Sequence, residues 1–275
     1  MKRSIIEKIF ERHGQKVFFA SFENVKFENK KDDKGYRTVF LTYIPYFYHA
    51  EEDQNLCLYA ALEDYHKYIP RKLEPIKEEL QKEFPENIFD VYTDNSPIDE
   101  KLAAEISGLG MRGKNTLIIT KEHGSYIFLA EIISDIDIQT ETQVQKNCLG
   151  CGECEKACPS GALKNGKCDI SKCISALTQK KGELTAEEKE AIKNNGLVWG
   201  CDRCQKVCPM NKDLTESAYS KETVKLKALT HSDISGLSDK EFRTKYHDRA
   251  FTWRGLSTVK RNIDLINERR KTNEN

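Results

Sequence analysis

Four cysteines in the stretch CLGCGECEKACPSGA, residues 148–162, are separated by two, two and three residues, and a proline follows the last directly. A cubic iron-sulfur cluster needs four thiolates around a small core, and C-x2-C-x2-C lets one tight loop supply three of them. In two-cluster ferredoxins the cysteine before the proline in C-x2-C-x2-C-x3-C-P ligates the other cluster, so each loop donates one ligand across. By that rule Cys148, Cys151 and Cys154 hold one cluster, and Cys158 reaches to a second. The stretch CDRCQKVCPM places Cys201, Cys204 and Cys208 before Pro209, the same motif without its leading cysteine. Cys208 then completes the first cluster, and the second has Cys158, Cys201 and Cys204. Its remaining ligand is Cys168 or Cys173, which spacing leaves open. Structural zinc sites also use C-x2-C pairs, but they have no need of a further cysteine followed by proline, and two such endings argue against zinc. Two neighbouring 4Fe-4S clusters conduct single electrons.

The rest of the chain must position that electron path and give it a task. Its 275 residues suffice for two modest domains. Lys plus Arg and Asp plus Glu number 44 each, so net charge gives no global attraction to nucleic acid or membrane. No apolar run approaches the ~18 residues of a membrane-crossing helix, and the N-terminus MKRSIIEKIFERHGQKV interrupts its apolar residues with charge, unlike a signal peptide. A cytoplasmic location is expected, where a reducing environment favours metal binding by cysteine over disulfides. All the cysteines except Cys57 fall between 148 and 208.

The fold class expected is α+β: a mixed α/β domain over 1–140, a ferredoxin-like double-cluster domain over 141–215, and a helical segment over 216–275. Ile5, Ile6, Ile9 and Phe10 form one face of a first helix that Gly14 ends. TVFLTYIPYFY at 38–48 reads as a buried strand stopped by Pro45. DYHKYIPRKLEPIKEELQKEF at 64–84 reads as helix interrupted by its prolines, NIFDVYT as a strand, and PIDEKLAAEIS as a helix. NTLIIT and SYIFLAEII read as two strands of a hairpin turning at KEHG. Within the cysteine segment LTAEEKEAIKNNG is a helix with a Thr185–Glu188 capping box, and later Ser238 and Glu241 form another. STVKRNIDLINERR is a last amphipathic helix.

GLGMRGKNT at 108–116 satisfies G-x-G-x-x-G and nearly satisfies the phosphate-binding G-x-x-x-x-G-K-[ST]. Both motifs require strand, loop and helix in that order, and here a helix precedes and a strand follows. Gly108 and Gly110 either end a helix and turn the chain, or open a loop that contacts a cofactor. The six histidines form no close pair at metal-ligand spacing, and only His66 in DYH lies near a candidate site.

CLYAALEDYHKYI at 57–69, YTDNSPIDEKLAAEISGLGMRGKNTLII, GSYIFLAEI, the C-x2-C-x2-C-x3-C-P group, CISALT and GCDRCQKVCPMN occur in the order and spacing of the epoxyqueuosine reductases. The resemblance covers roughly residues 38–212, with a looser echo in RAFTWRGLSTVKRN. It implies an iron-sulfur and cobalamin enzyme that removes the epoxide oxygen of epoxyqueuosine in tRNA. It selects Cys173 as the remaining ligand of the second cluster. It puts Asp94 at the position of the proton donor, although an Asp before Ser-Pro is also an ordinary helix cap. Cys57, Lys114, Asn115 and Thr116 fall, with Asp94, at cobalamin-contacting positions. Met111 and Tyr126 stand where tryptophan is usual, and the expectation is a short, monomeric member without the C-terminal helical-repeat domain. Implied partners are tRNA and an external one-electron donor. Residues 240–275 hold ten Lys and Arg against five Asp and Glu, which serves either as a basic patch or as a solvated helix face. A corrinoid reductase of a small molecule and a two-cluster electron carrier without catalysis are the competing readings.

Overall fold

A computed structural model describes residues 1–27, 34–143, 145–146 and 148–273, with side chains through residue 268 at the C-terminal end. The chain divides into two compact units. The first comprises Met1–Pro45, Tyr65–Gly113 and Leu117–Leu149. Its sheet is antiparallel, in the order β1-β2-β4-β3, built from Phe18–Ser21 (β1), Thr38–Pro45 (β2), Phe89–Tyr92 (β3) and Ile127–Ser134 (β4). Because side chains alternate along a strand, Phe19, Phe40, Phe89 and Ile132 share one face, and Ala20, Val39, Leu41 and Ile133 the other. The second face packs on Ala103 and Ala104 of the helix Glu100–Ile106 (α3). The first face receives Lys2–Arg12 (α1), whose Arg3 lies over the Phe19 ring at 4.9 Å, and Tyr65–Glu83 (α2). With both faces covered, β2 and β4 read as nearly continuous apolar runs.

Two expectations change. The helix α2 runs through Pro70 and Pro75 without a break. Each proline forfeits one backbone hydrogen bond, but Tyr68, Ile69, Leu73, Ile76 and Leu80 bury a continuous stripe that keeps the helix on the sheet. The hairpin expected from NTLIIT and SYIFLAEII does not form as two long paired strands. β4 already uses both edges, pairing with β2 and β3. Ile118–Ile119 pairs with Met111–Arg112 instead, and only Thr120 and Gly124 bridge across the KEHG turn.

The second unit comprises Tyr46–Asp64, Lys114–Thr116 and Gly150–Asn275, so the C-terminal helices share a body with the cysteine segment. Regular structure around the cysteines is short: four-residue helices at Glu153–Lys156, Ile174–Leu177 and Arg203–Lys206, and a hairpin of Leu163–Lys164 with Lys167–Cys168. Longer elements brace it. The helix Ala186–Asn195 (α4) carries the expected capping box and packs Ile192 against Leu265 of the final helix Leu256–Asn273 (α5). Asn262 of α5 has no exposed surface, and its Nδ2 donates to the carbonyls of Thr178 and Val198, each at 2.8 Å. The cysteine loops are thereby tied to a helix by polar groups that are costly to leave unpaired.

Asn262→Leu keeps the volume and strands both carbonyls, and at about 1–3 kcal/mol for each orphaned group the loss is about 3 kcal/mol. Urea unfolding under anaerobic conditions measures it; a midpoint that does not move would mean that the clamp contributes nothing.

Candidate functional site

Asp94 follows β3 in the loop to α3, and its backbone is left-handed, φ +65. A non-glycine residue there stores strain that surrounding contacts must hold. The cap of α3 is Asp99, whose Oδ1 accepts from the Leu102 amide at 2.9 Å, so the helix-cap role belongs to Asp99 and leaves Asp94 available. Asp94 Oδ2 accepts from Tyr65 Oη at 3.3 Å, and His66 Nε2 lies 3.3 Å from the same oxygen. Tyr65 is fixed by stacking on Phe128 of β4, ring centroids 4.3 Å apart at 13°. The Asp94 side chain is 63% exposed. The His66 hydrogen bond holds its carboxyl below the usual carboxylate range, against the opposing effect of partial burial, and Tyr65 adds to the lowering.

Beneath this loop lies a carboxylate pair that no motif announces. Glu131 of β4 is fully buried, and neither of its carboxylate oxygens has a hydrogen-bond partner at normal geometry. Glu100 opens α3 and accepts from the Ser96 hydroxyl at 3.5 Å. Burial, then the charge of Asp94, pushes Glu100 up to about 7; burial, then the charge of Glu100, raises Glu131 well above the carboxylate range. The signal in the sequence is one acidic residue inside the apolar run YIFLAEIIS.

The glycine loop has packing tasks. A Cβ on Gly110 would lie 2.8 Å from the Ile119 carbonyl, so glycine is what lets Met111–Arg112 approach Ile118–Ile119. Lys114, Asn115 and Thr116 belong to the second unit. There Lys114 Nζ lies 3.6 Å from Glu155 Oε2, Asn115 is buried, and Thr116 is left-handed at φ +64, a strained setting for a β-branched residue. Of the positions expected to line cobalamin in this unit, Lys114 and Thr116 keep exposed surface and suit a contact. Cys57 has none. Its amide donates to Trp199 O at 3.0 Å, and a Cβ on Gly200 would meet Cys57 Sγ at 2.1 Å. In this conformation Cys57 packs the left-handed turn that leads into Cys201.

The cysteines of the second unit are all free thiols. Burial pushes Cys201 up to about 11, with Asp202 and Cys173 adding to it. Burial raises Cys204 further, with Cys201 and Cys173 adding to it. Burial also raises Cys154, whose cysteine neighbour is Cys208. Cys158 goes the other way: burial raises it, but donors from the backbone of Leu163, Ala162 and Ser160 and from the Ser160 hydroxyl bring it below the ordinary thiol value. Cys173 caps the helix Ile174–Leu177, whereas Cys168 sits in the hairpin. Buried thiols of raised pKa become ligands when a cation supplies the opposing charge. Among the described residues no three His, Cys, Asp or Glu side chains close on a single-ion site. A cubane does not ask for that, since each of its four irons takes one protein thiolate. The donor set thus fits clusters.

If Cys173 is a ligand and Cys168 is not, Cys173→Ser loses about half of the bound iron and sulfide while Cys168→Ser keeps it; iron analysis of both variants decides, and equal contents would reject the assignment. His66→Asn raises the Asp94 pKa by removing the largest influence that lowers it, read by infrared titration against Asp94→Asn; an unmoved carboxylate band would reject the ion pair.

Residues 147–211 match the family described as a 4Fe-4S double cluster binding domain. An epoxyqueuosine reductase of Leadbetterella byssophila is 31% identical over 264 residues, covering 93% of this chain and 85% of that protein. One of Lactococcus garvieae is 35% identical over 205 residues, 73% of this chain; the chain spans 58% of that relative's length. The fold aligns with an epoxyqueuosine reductase from Bacillus subtilis, solved with its catalytic aspartate loop swung out of the active site, at TM-score 0.84 and 24% identity over 96% of this chain and 81% of that one. Identity sustained over nearly the whole of both chains, together with the cluster-binding segment, shows that this chain belongs to the epoxyqueuosine reductase family.

Proposed function

We propose that the chain reduces epoxyqueuosine to queuosine in tRNA, with Asp94 as the proton donor. Members of the family carry two 4Fe-4S clusters and cobalamin. In the ligand sets proposed, Cys148, Cys151, Cys154 and Cys208 hold one cluster, and Cys158, Cys173, Cys201 and Cys204 the other. When bound, the clusters relay single electrons and cobalamin supplies the reducing centre. Lys114, Asn115 and Thr116 are proposed to contact it, with Cys57 supporting the turn behind Cys201. The chain's remaining work is proton delivery and positioning.

The observation that carries the reading is Asp94, held left-handed and exposed, released from capping duty and gripped at one oxygen by His66 and Tyr65. Held so, it is the anion. An acid role requires the loop to leave His66, which lets the carboxyl pKa rise and presents a proton to the departing epoxide oxygen. The Bacillus subtilis relative, whose catalytic aspartate loop has been seen swung out, supports a mobile loop at this position. A tRNA substrate is supported by an epoxyqueuosine reductase of this fold solved with an epoxyqueuosine-modified tRNA stem loop, TM-score 0.80 at 24% identity. In this reading the protein works in the cytoplasm as a monomer and takes electrons from an external donor. Among the described residues no helix is long and apolar enough to cross a membrane.

The test uses anaerobically reconstituted chain with cob(II)alamin, a low-potential one-electron reductant and an epoxyqueuosine-containing anticodon stem loop, with queuosine measured by mass spectrometry. Asp94→Asn is expected to lower the single-turnover rate by about 10²–10⁴ with iron content unchanged. No queuosine from fully loaded wild type would refute the function. An undiminished rate in Asp94→Asn would refute the role of Asp94.

A further inference from the structure

Taking an oxygen out of an epoxide as water consumes two electrons and two protons. Both carbon–oxygen bonds break, a carbon–carbon double bond forms, and the oxygen leaves with two new O–H bonds. One aspartic acid carries one proton. A second must come from solvent or be stored beside the site.

Glu131 is paired in register with Leu41 of β2 and Tyr92 of β3, so its side chain stands on the sheet face covered by α3, the helix that Glu100 begins. Two carboxylates in such a place cannot both be charged, because burial penalises each anion and each repels the other. Little around them offsets that. Lys101 of α3 acts weakly on Glu100, and Arg112 is engaged by Glu105 at 3.0 Å and Asp99 at 3.6 Å. From the loop comes the further negative charge of Asp94, from β3 the Tyr92 hydroxyl, itself 3.1 Å from Tyr36, and from α2 His66 and Tyr65, which are turned to Asp94. The pair therefore retains a proton at neutral pH, next to the carboxylate that must be recharged.

We infer that the pair of Glu100 and Glu131 retains a proton and forms the reserve from which Asp94 is reprotonated for the second proton transfer to the departing oxygen. The inference rests on the reductase reading of Asp94. In the step, the O–H bond of Glu100 breaks and one forms on the Asp94 carboxylate; the pair regains its proton from water after product release. Glu100 and Glu131 act through Asp94 and touch no substrate.

Infrared difference titration of the full reconstituted chain reads the pair without turnover. A protonated-carboxyl band should be present at pH 6, lose the part owed to Glu100 as the pH rises past about 7 because that folded pKa is raised, and be diminished in both Glu100→Gln and Glu131→Gln. Glu100→Gln and Glu131→Gln, isosteres of the protonated acid, should each slow single-turnover queuosine formation about tenfold or more and abolish the decline of rate above neutral pH, with stem-loop affinity unchanged. A wild type that turns over but shows no such band overturns the reserve alone, as do variants with wild-type rates and pH profiles. A wild type that makes no queuosine overturns the reductase reading, and the reserve falls with it.

Discussion

The eight-residue antiparallel pairing of Thr38–Pro45 with Ile127–Ser134 fixes more of the first unit than any other interaction. With period-two alternation, its register decides which side chains face α3 and which face α1 and α2. It sets Phe128 where Tyr65 can stack, and Tyr65 in turn helps to hold Asp94. It sends Glu131 to the opposite side, under the start of α3. A slip of one residue would exchange those destinations, removing the platform of Asp94 and exposing the carboxylate pair together.

The second unit solves a different problem. Its cysteine loops have too little regular structure to bury an apolar core of their own, and their thiols are sunk deeply enough that burial disfavours the charged form. Stability is borrowed from side chains that reach across the sequence. Arg249 Nη1 donates to the carbonyls of Ala61 and Val224, Asn55 brackets Leu229 through both its amide atoms, and Asp202 accepts from the Leu58 amide at 2.8 Å. Trp199, Phe242 and Phe251 give these clamps an aromatic centre. None of these clamps uses a thiol, so they hold the loops without drawing on the ligands, which lowers the ordering cost of metal binding.

What was legible in the sequence followed from local chemistry. Capping boxes at Thr185 and Ser238, the apolar face of the first helix and the strand ending at Pro45 all rest on interactions within a few residues. The cysteine spacings announced clusters because thiolate geometry constrains them, and the domain that matches 147–211 agrees. The misses were non-local. Proline propensity at positions 70 and 75 was outweighed by burial of the stripe on α2. Strand partners went wrong because nothing near Ile118 tells that β4 has both edges occupied. Glu131 escaped notice because one acid in a strand reads as a solvent-facing position until the covering helix is known. Asp94 was found by resemblance, while its separation from the cap role needed the backbone.

The prolines of α2 carry a kinetic consequence. The bond that an ordinary residue at 70 would send to position 66 does not exist, nor does the one from 75 to 71. The first turns of α2, which bear Tyr65 and His66, are therefore less firmly laddered than the stretch ending at Glu83. They are suited to open as a small cooperative unit while the rest of the helix stays docked. The residues that hold Asp94 thus stand on the segment of the helix best able to let it go.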